Sequence, residues 1–594
     1  MRTDGIVITA RRTSAVLLRN KALNCWVEEN LFTDKELEAQ RNRVFDIEVK
    51  FSIVVPLFNT DSRFLSEMID SVIAQTYANW ELCLADGSDD KGLHVEKICR
   101  EYAGRDERIK YKKLSENKGI SGNSNEALAM ACGDYISLLD HDDLLHPAAL
   151  HETMLAVCDG ADFIYTDEAL FESPDKEMIK LIHFKPDFGP DSLLSNNYIA
   201  HFTSFKRELL EKTGGFVSKY DGIQDHDMFL RLTYIAEHIT HIPESLYYWR
   251  AHPGSVADSL DNKNYAAEAG VRAVKDNLNA RGTDARVESV NGNLTIYRVH
   301  YPIEGDPKIS IIIPNYEHLD DLRKCVESVI SRSTYKNYEI IIVENNSSSK
   351  ELFDYYEKIT AEQDNIKVIK WDGLFNYSEI NNYGVREAAS GDYILLLNND
   401  TEVITPGWME EMLMYAQRSD VGAVGAKLYY PDDTIQHAGV IIGMGGVAGH
   451  QFNRIPRNNI GYMGRLVYAQ NLSAVTAACM IIRRDVWDQV GGLDEGFAVD
   501  YNDIDLCLRI RKAGYLIVWT PFAELYHYES KSRGKNTTPE RIRMYAHEVE
   551  LFRKRWAEIL KNGDPYYNPN LSLDSCDFRP KTNPIWKYPK QSRH

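Results

Sequence analysis

The chain has 594 residues, 44% of them hydrophobic and 26% charged, more than one core usually supports and roughly three to four domains by length alone. A formal net charge of −20 argues against binding nucleic acid through a general basic surface. Nine cysteines, odd in number and without a C-x-x-C pair, suit a reducing cytoplasm, because a chain of this size needs no disulfide staples.

The start, MRTDGIVITARRTSAVLLRN, has apolar stretches too short and too broken by arginine for a secretory leader. No run approaches the length that spans a bilayer, so any membrane contact is expected to be peripheral. Residues 1–49 read as an N-terminal extension with a helix around DKELEAQRNRV. From residue 51 the pattern changes. FSIVVPLF is a β-branched run ending in a turn and predicts a buried strand. LSEMIDSVIAQ predicts a helix, ELCLAD a strand, EKICREYAG a helix, ERIKYKKL a strand, SNEALAMA a helix and DYISLLD a strand. Strands alternating with helices predict an α/β fold with a largely parallel sheet covered on both faces.

The chain then repeats itself. SIVVPLFNT at Ser52 returns as SIIIPNYEH at Ser310, and GDYISLLDHDD returns as GDYILLLNNDT. Pro56 and Pro314, Asp86 and Glu344, and Asp142 and Asp400 all stand 258 positions apart. A later landmark, QDHDMFLRL against NDIDLCLRI, sets Asp225 and Asp503 278 apart, so the second copy carries about twenty extra residues, an ordinary surface insertion in length. The Gly-rich GVIIGMGGVAGHQFNRIPRNN is the candidate insertion. A period this long marks a duplicated domain. The boundaries expected are 50–300 and 306–560, joined by YPIEGDPK and followed by a tail, 561–594. The end of that tail, FRPKTNPIWKYPKQSRH, suits contact with an anionic membrane and equally a flexible tail.

Polar residues fall where open α/β sheets bind ligands, beyond the carboxyl ends of strands: Asn59, Asp86 and Asp140 each follow a strand. Any one of them also suits a turn for backbone reasons; the set, repeated in register, points to a site. Asp140-His141-Asp142-Asp143 packs carboxylates closely enough to call for a hard divalent cation, Mg2+ or Mn2+, which would bridge a diphosphate. Asp225 opens a helix, where the positive helix end favours its ionised form; it is read as a general base rather than a plain N-cap. Asp227 and Arg231 are spaced for an i,i+4 ion pair. His252 and His527 follow Asp225 and Asp503 by similar intervals. Each is a candidate third metal ligand or diphosphate contact, and also suits a structural histidine.

These motifs resemble those of inverting glycosyltransferases of family 2. The resemblance covers both repeats and implies two tandem GT-A domains, which are Rossmann-like nucleotide-diphospho-sugar transferase folds. It implies that Pro56 and Asn59 line the base pocket, Asp86 holds the nucleobase edge, Asp140 and Asp142 form a D-x-D metal motif and Asp225 is the catalytic base. The counterparts are Pro314, Glu344, Asp400 and Asp503, with His527 as a further metal or phosphate ligand. FNYSEINNYG with LLNNDTEV is most similar to bacterial rhamnosyl- and galactofuranosyltransferases of surface-polysaccharide assembly. The sequence departs from the pattern at Gln224 and Asn502, where an acid usually precedes the base. Asn398 stands in place of the first D-x-D acid beside the donor, and Glu344 in place of the usual Asp. The expected function is bifunctional, inverting sugar transfer from a UDP- or dTDP-sugar to a glycan or lipid-linked glycan, as in O-antigen or capsule assembly at the inner face of the membrane. One rival makes one domain catalytic and the other a carbohydrate-binding or docking module. A second, a nucleotidyltransferase, would need a Gly-rich basic loop after the first strand, which LFNTDSRF is not.

Overall fold

A computed structural model of the chain describes residues 32–172, 179–252, 260–290, 295–528 and 538–581; the N-terminal stretch and the basic end of the tail, from 582, lie outside them. In the first half, β1 (Phe51–Leu57), β2 (Trp80–Asp86), β3 (Ile109–Lys113), β4 (Tyr135–Leu138), β5 (Leu144–Leu145), β6 (Phe163–Glu172), β7 (Ile179–His183), β8 (Thr203–Lys206) and β9 (Ile239–Ala251) form one sheet. Its order is β3-β2-β1-β4-β8-β6-β9-β5, with β7 beside β6. A two-stranded ribbon, β10 (Arg286–Ser289) and β11 (Tyr297–His300), precedes the second half.

There the strands are β12 (Ile309–Asn315), β13 (Tyr338–Glu344), β14 (Ile366–Lys370), β15 (Tyr393–Leu397), β16 (Thr401–Val403), β17 (Val421–Tyr429), β18 (Ile435–His437), β19 (Val440–Ile442), β20 (Ala448–His450), β21 (Gln470–Asn471), β22 (Cys479–Arg483) and β23 (Leu516–His527). The second sheet runs β14-β13-β12-β15-β22-β17-β23-β16, strand for strand the order of the first. The insertion supplies an antiparallel hairpin, β19–β20, with no counterpart among the described residues of the first half. In each sheet four parallel strands adjoin an antiparallel neighbour, β8 or β22. The central strands β1, β2 and β13 are buried at every residue, which explains why they read as continuous apolar runs rather than alternating ones.

The repeated GD dipeptide before β4 and β15 serves packing. A Cβ at Gly133 would meet Lys50 O at 2.4 Å, and one at Gly391 would meet Lys308 O at 2.5 Å. Gly133 N donates to Ser52 Oγ at 2.8 Å, and Ser52 Oγ donates to Glu81 at 2.7 Å. Ser310 and Glu339 repeat the arrangement around Gly391 at 2.8 and 2.7 Å. The N-terminal helix Asp34–Arg41 carries a capping box between Thr33 and Glu36 and docks on the first half, where Gln40 Nε2 donates to Glu152 at 3.0 Å.

The two halves share polar contacts. Asp191, 2% exposed, accepts from Arg418 and from Asn471 Nδ2 at 2.8 Å, while its backbone N–H donates to Asn471 Oδ1 at 2.8 Å. Removing one partner of a buried ion pair leaves the other uncompensated, so Asp191→Ala is expected to lower stability by about 3 kcal/mol. A shifted denaturant midpoint checks this; an unchanged midpoint would show that the pair does not hold the halves together. The segment after 561, expected from composition as a tail, is packed through 581: Tyr566, Tyr567, Leu571 and Phe578 are buried. Asn568 Nδ2 donates to Asp167 Oδ2 at 2.8 Å and to Lys185 O at 2.9 Å, which ties this segment to the first sheet. Among the described residues no helix is long and apolar enough to cross a membrane.

Candidate active site

The first site residues come from the parallel half of each sheet. Pro56 lies within β1 and Pro314 within β12, paired across to Ala85 and Val343. Asp86 ends β2, fully buried. It accepts from Ser88 N at 2.8 Å, Tyr111 Oη at 2.7 Å and Lys113 Nζ at 3.1 Å. Glu344 ends β13, 1% exposed, and accepts from Tyr356 Oη at 2.6 Å. Val368 stands on the next strand where the first half has Tyr111, and a tyrosine on the helix Lys350–Glu362 takes that role. Asn59 sits at φ 50°, and its side chain accepts from Asp89 N at 3.2 Å. It holds the loop that follows β2, the turn role Asn favours on backbone grounds. Its counterpart Glu317, at φ 52°, accepts from Ser348 N at 2.6 Å.

After β4, the acidic cluster splits three ways. Asp140 lies 3.3 Å from His201 Nε2, whose Nδ1 is 3.3 Å from Glu168. Asp142 Oδ2 lies 2.8 Å from His252 Nε2. Asp143 is buried and accepts from Tyr247 Oη at 2.6 Å and Arg250 N at 2.7 Å. Burial, reinforced by the charges of Asp142 and Asp140, pushes the Asp143 carboxyl well above the usual range. Burial opposes charge on His201, but its hydrogen bonds to Asp140 and Glu168 outweigh that and hold it well above the ordinary histidine value. Asp225 lies in the first turn of the helix Gln224–Ile235. Burial and then the nearby charge of Asp140 push its carboxyl up to about 7. Gln224 Nε2 donates to Asp225 Oδ2 at 3.2 Å. Asp227 pairs with Arg231 at 2.7 Å and Asp505 with Arg509 at 2.7 Å, so the second acid of each Asp-x-Asp braces its helix.

In the second half, Pro314, Glu344's neighbours Asn345 and Asn346, Asp400, Asp503 and His527 border one cavity of about 650 Å3, a size that suits a small organic ligand. His527 Nε2 is 3.2 Å from Asp400 Oδ1. Asn398 also borders the cavity: its Nδ2 is 3.2 Å from His527 Nε2, and its Oδ1 accepts from Tyr377 Oη at 3.1 Å. Asn398 therefore steadies His527 from the place the first acid would occupy. Asp503 accepts from Ala477 N at 3.1 Å, and the buried Asn502 donates to Val499 O at 3.0 Å.

The spacing of both pairs suits a shared divalent cation as well as a direct hydrogen bond. Oxygen and nitrogen ligands about 2.1 Å from an octahedral ion sit about 3 Å apart, the spacing found in Asp142–His252 and Asp400–His527. Among the described residues no group of three or more His, Cys, Asp or Glu side chains is placed to hold an ion alone, so the remaining positions would fall to phosphate oxygens or water. Sequence reasoning did not find His201, Tyr247, Tyr111 or Tyr356, the partners that fix these acids. The one signal present was Y-x-K on β3, whose alternate residues Tyr111 and Lys113 both reach Asp86.

The family described as Glycosyl transferase family 2 matches residues 52–214 and 310–491. "Uncharacterized protein y4gI" of Sinorhizobium fredii is 46% identical over 534 residues, 89% of this chain and 58% of that protein. "O-antigen biosynthesis protein RfbC" of Myxococcus xanthus is 38% identical over 536 residues, 90% of this chain and 41% of that protein. The chain thus spans about half the length of these relatives. The solved structure of a mannosyltransferase from Pyrobaculum calidifontis with GDP-Man and Mn2+ is 15% identical with a TM-score of 0.33, over 45% of this chain and 68% of that one, a likeness too partial to carry weight.

Proposed function

The chain belongs to glycosyl transferase family 2, and on that premise we propose that each half carries its own nucleotide-sugar-dependent active site and transfers a sugar with inversion. The observation that supports two sites is the repeated constellation: a buried acid ending the second strand, an acid–histidine pair after the fourth strand, and an acid opening a helix. In the second half Asp400, His527 and Asp503 border one cavity.

The roles follow from position. Asp86 and Glu344, fixed by tyrosines, hold the nucleobase edge, beside Pro56 and Pro314. Asn59 shapes the base pocket by holding its loop, and Asp140 and Asn398 orient the groups around the diphosphate. Asp142 with His252, and Asp400 with His527, would hold Mg2+ or Mn2+. The bound ion would neutralise charge on the departing diphosphate. Asp225 and Asp503 accept the proton of the acceptor hydroxyl as its oxygen bonds to the anomeric carbon. The bond from that carbon to the diphosphate breaks on the opposite face, which inverts the configuration.

The resemblance to an O-antigen biosynthesis protein supports a bacterial surface glycan as the product; a UDP- or dTDP-sugar donor, a glycan or lipid-linked glycan acceptor and action at the inner face of the membrane complete the proposal. The two sheets, which begin at Phe51 and Ile309, support the proposed domain limits 50–300 and 306–560. Incubation of the purified chain with a panel of nucleotide sugars is expected to release free nucleoside diphosphate. Release of pyrophosphate, or of nothing across the panel, would reject the proposal.

A further inference from the structure

The insertion of the second half reaches two cavities. His450 borders the active-site cavity. Arg457 and Asn458, near the end of the insertion, border another of about 770 Å3, and the two cavities share no lining residue. The insertion is fixed near both ends. Ile442 N donates to Asp564 Oδ2 at 2.8 Å and Gly445 N to Leu573 O at 3.0 Å, while Arg457 N donates to Asp433 O at 3.0 Å. One wall of the second cavity comes from two paired strands, with Lys427 on β17 opposite Glu524 on β23. Glu524 stands three residues before His527, about 10 Å along the strand. An odd separation puts the two side chains on opposite faces, so the second cavity lies on the sheet face away from the Asp400–His527 pair.

The polar groups of this cavity are fixed and only partly used. Glu524 accepts from Tyr429 Oη and from Arg457 Nη2 at 3.1 Å. Arg457 also pairs with Asp433 at 3.3 Å, and its guanidinium lies 4.4 Å over the Tyr429 ring. Lys427 is 4% exposed. An ammonium has three N–H donors; among the described residues Lys427 uses one, to Leu466 O at 3.0 Å. A buried donor without an acceptor is costly, and burial pushes this amine down to about 8. In the first sheet the matching place is filled from within the chain. Asp167 stands two residues after Tyr165, as Lys427 stands two after Gly425, and those two residues pair alike with β8 and β22. Asp167 is fully buried, pairs with His241 at 2.9 Å and accepts from Asn568 Nδ2 at 2.8 Å.

The charges around the second cavity nearly cancel, Lys427 and Arg457 standing against Glu524, Asp432 and Asp433. That disfavours an anionic ligand and suits a neutral one rich in hydroxyls, because each hydroxyl both donates and accepts. Pro521 and Phe522 add apolar lining, which suits the C–H faces of a sugar ring. We propose that this cavity is a second carbohydrate site of the second half, in which Lys427 donates to hydroxyls of a neutral glycan and Asn458 and Glu524 orient it, apart from the cleft where transfer occurs. That the ligand is the glycan under construction rests on the function proposed above. A glycan held there stays with the enzyme between transfers, which raises its effective concentration at the cleft.

The test titrates methyl glycosides and trisaccharides of rhamnose, galactose and N-acetylglucosamine into the full chain without donor, followed by saturation-transfer NMR and calorimetry. At least one is expected to bind. Lys427→Met, similar in length but without a donor, is expected to weaken that binding about 10-fold, the effect of losing a hydrogen bond to a charged group. Asn458→Ala, at an exposed position, is expected to weaken it about 3-fold with the melting temperature of the parent, which separates lost binding from lost folding. Inorganic phosphate is expected not to compete. Binding by none of the probes, binding unchanged in both variants, or displacement by phosphate would overturn the site. Diphosphate release from nucleotide sugars is read separately: its absence, with Lys427-dependent glycan binding intact, would reject the transfer reading and leave the carbohydrate site in place.

Discussion

Replacing Asp503 with Asn should lower transfer by the second half about 10²- to 10⁴-fold, and replacing Asp225 with Asn should do the same to the first half, each leaving the other transfer in place. The range is the usual contribution of a positioned general base. The substitution keeps the shape of the side chain but removes its ability to take the acceptor proton. Product analysis of the two single variants and the double variant separates the transfers. If only one substitution stops transfer, the other half is not a second enzyme of this kind, and the rival with a docking module gains. The Asp225 carboxyl, pushed up to about 7, adds a pH signature. A protonated carboxyl cannot take the acceptor's proton, so transfer by the first half, measured in the Asp503→Asn background, should rise with pH through about 7. Stability runs the other way. An Asp titrates near 3.9 when unfolded, so the folded state binds the proton more tightly. The stability this group contributes is present in full below about pH 4 and is lost as pH rises through about 7. Asp225→Asn, neutral throughout, should therefore melt at the same temperature as the parent or higher at pH 8 while losing activity.

Chelation should stop diphosphate release from both halves, with Mg2+ or Mn2+ restoring it. Charge neutralisation at a leaving diphosphate is worth several kcal/mol, which corresponds to about 10³-fold in rate at 1.4 kcal/mol per decade. Asp142→Asn and Asp400→Asn should each impose this loss on one half and raise the concentration of metal needed there. His252→Ala and His527→Ala should also raise it, because each ring nitrogen faces its carboxylate at ligand spacing. Full activity after exhaustive dialysis against EDTA would remove the ion from the proposed chemistry and leave the acid–histidine pairs as hydrogen bonds.

The parts of the fold that depend on local pattern were legible in the sequence. Buried parallel strands show as apolar runs, and the spacing of 258 between Pro56 and Pro314 announced two sheets of one order. Asp227 and Arg231, four apart on a helix, could be paired by period alone. Contacts between distant segments could not. His201 reaches Asp140 from the turn before β8, Tyr247 reaches Asp143 from β9, and no local pattern links either pair. The stretch GVIIGMGGVAGHQFNRIPRNN was legible as an insertion from its length. That it folds back as a hairpin and brings His450 to the cavity depends on Asp564 and Leu573, more than a hundred residues onward. The same distance hid the tail: YYNPNLSL reads as loose from its Asn and Pro, yet its two tyrosines and Leu571 are buried. Asn59 carried a site-like signal, following a strand as it does, and its side chain turns out to hold a loop.

Calorimetric titration of the purified chain with UDP, dTDP and GDP in turn, each with Mn2+ present, measures how many donor sites one chain contains. Two equivalents of nucleoside diphosphate per chain, one lost in Asp86→Ala and the other in Glu344→Ala, are expected. A single equivalent, or two that survive both substitutions, would contradict a donor site in each half.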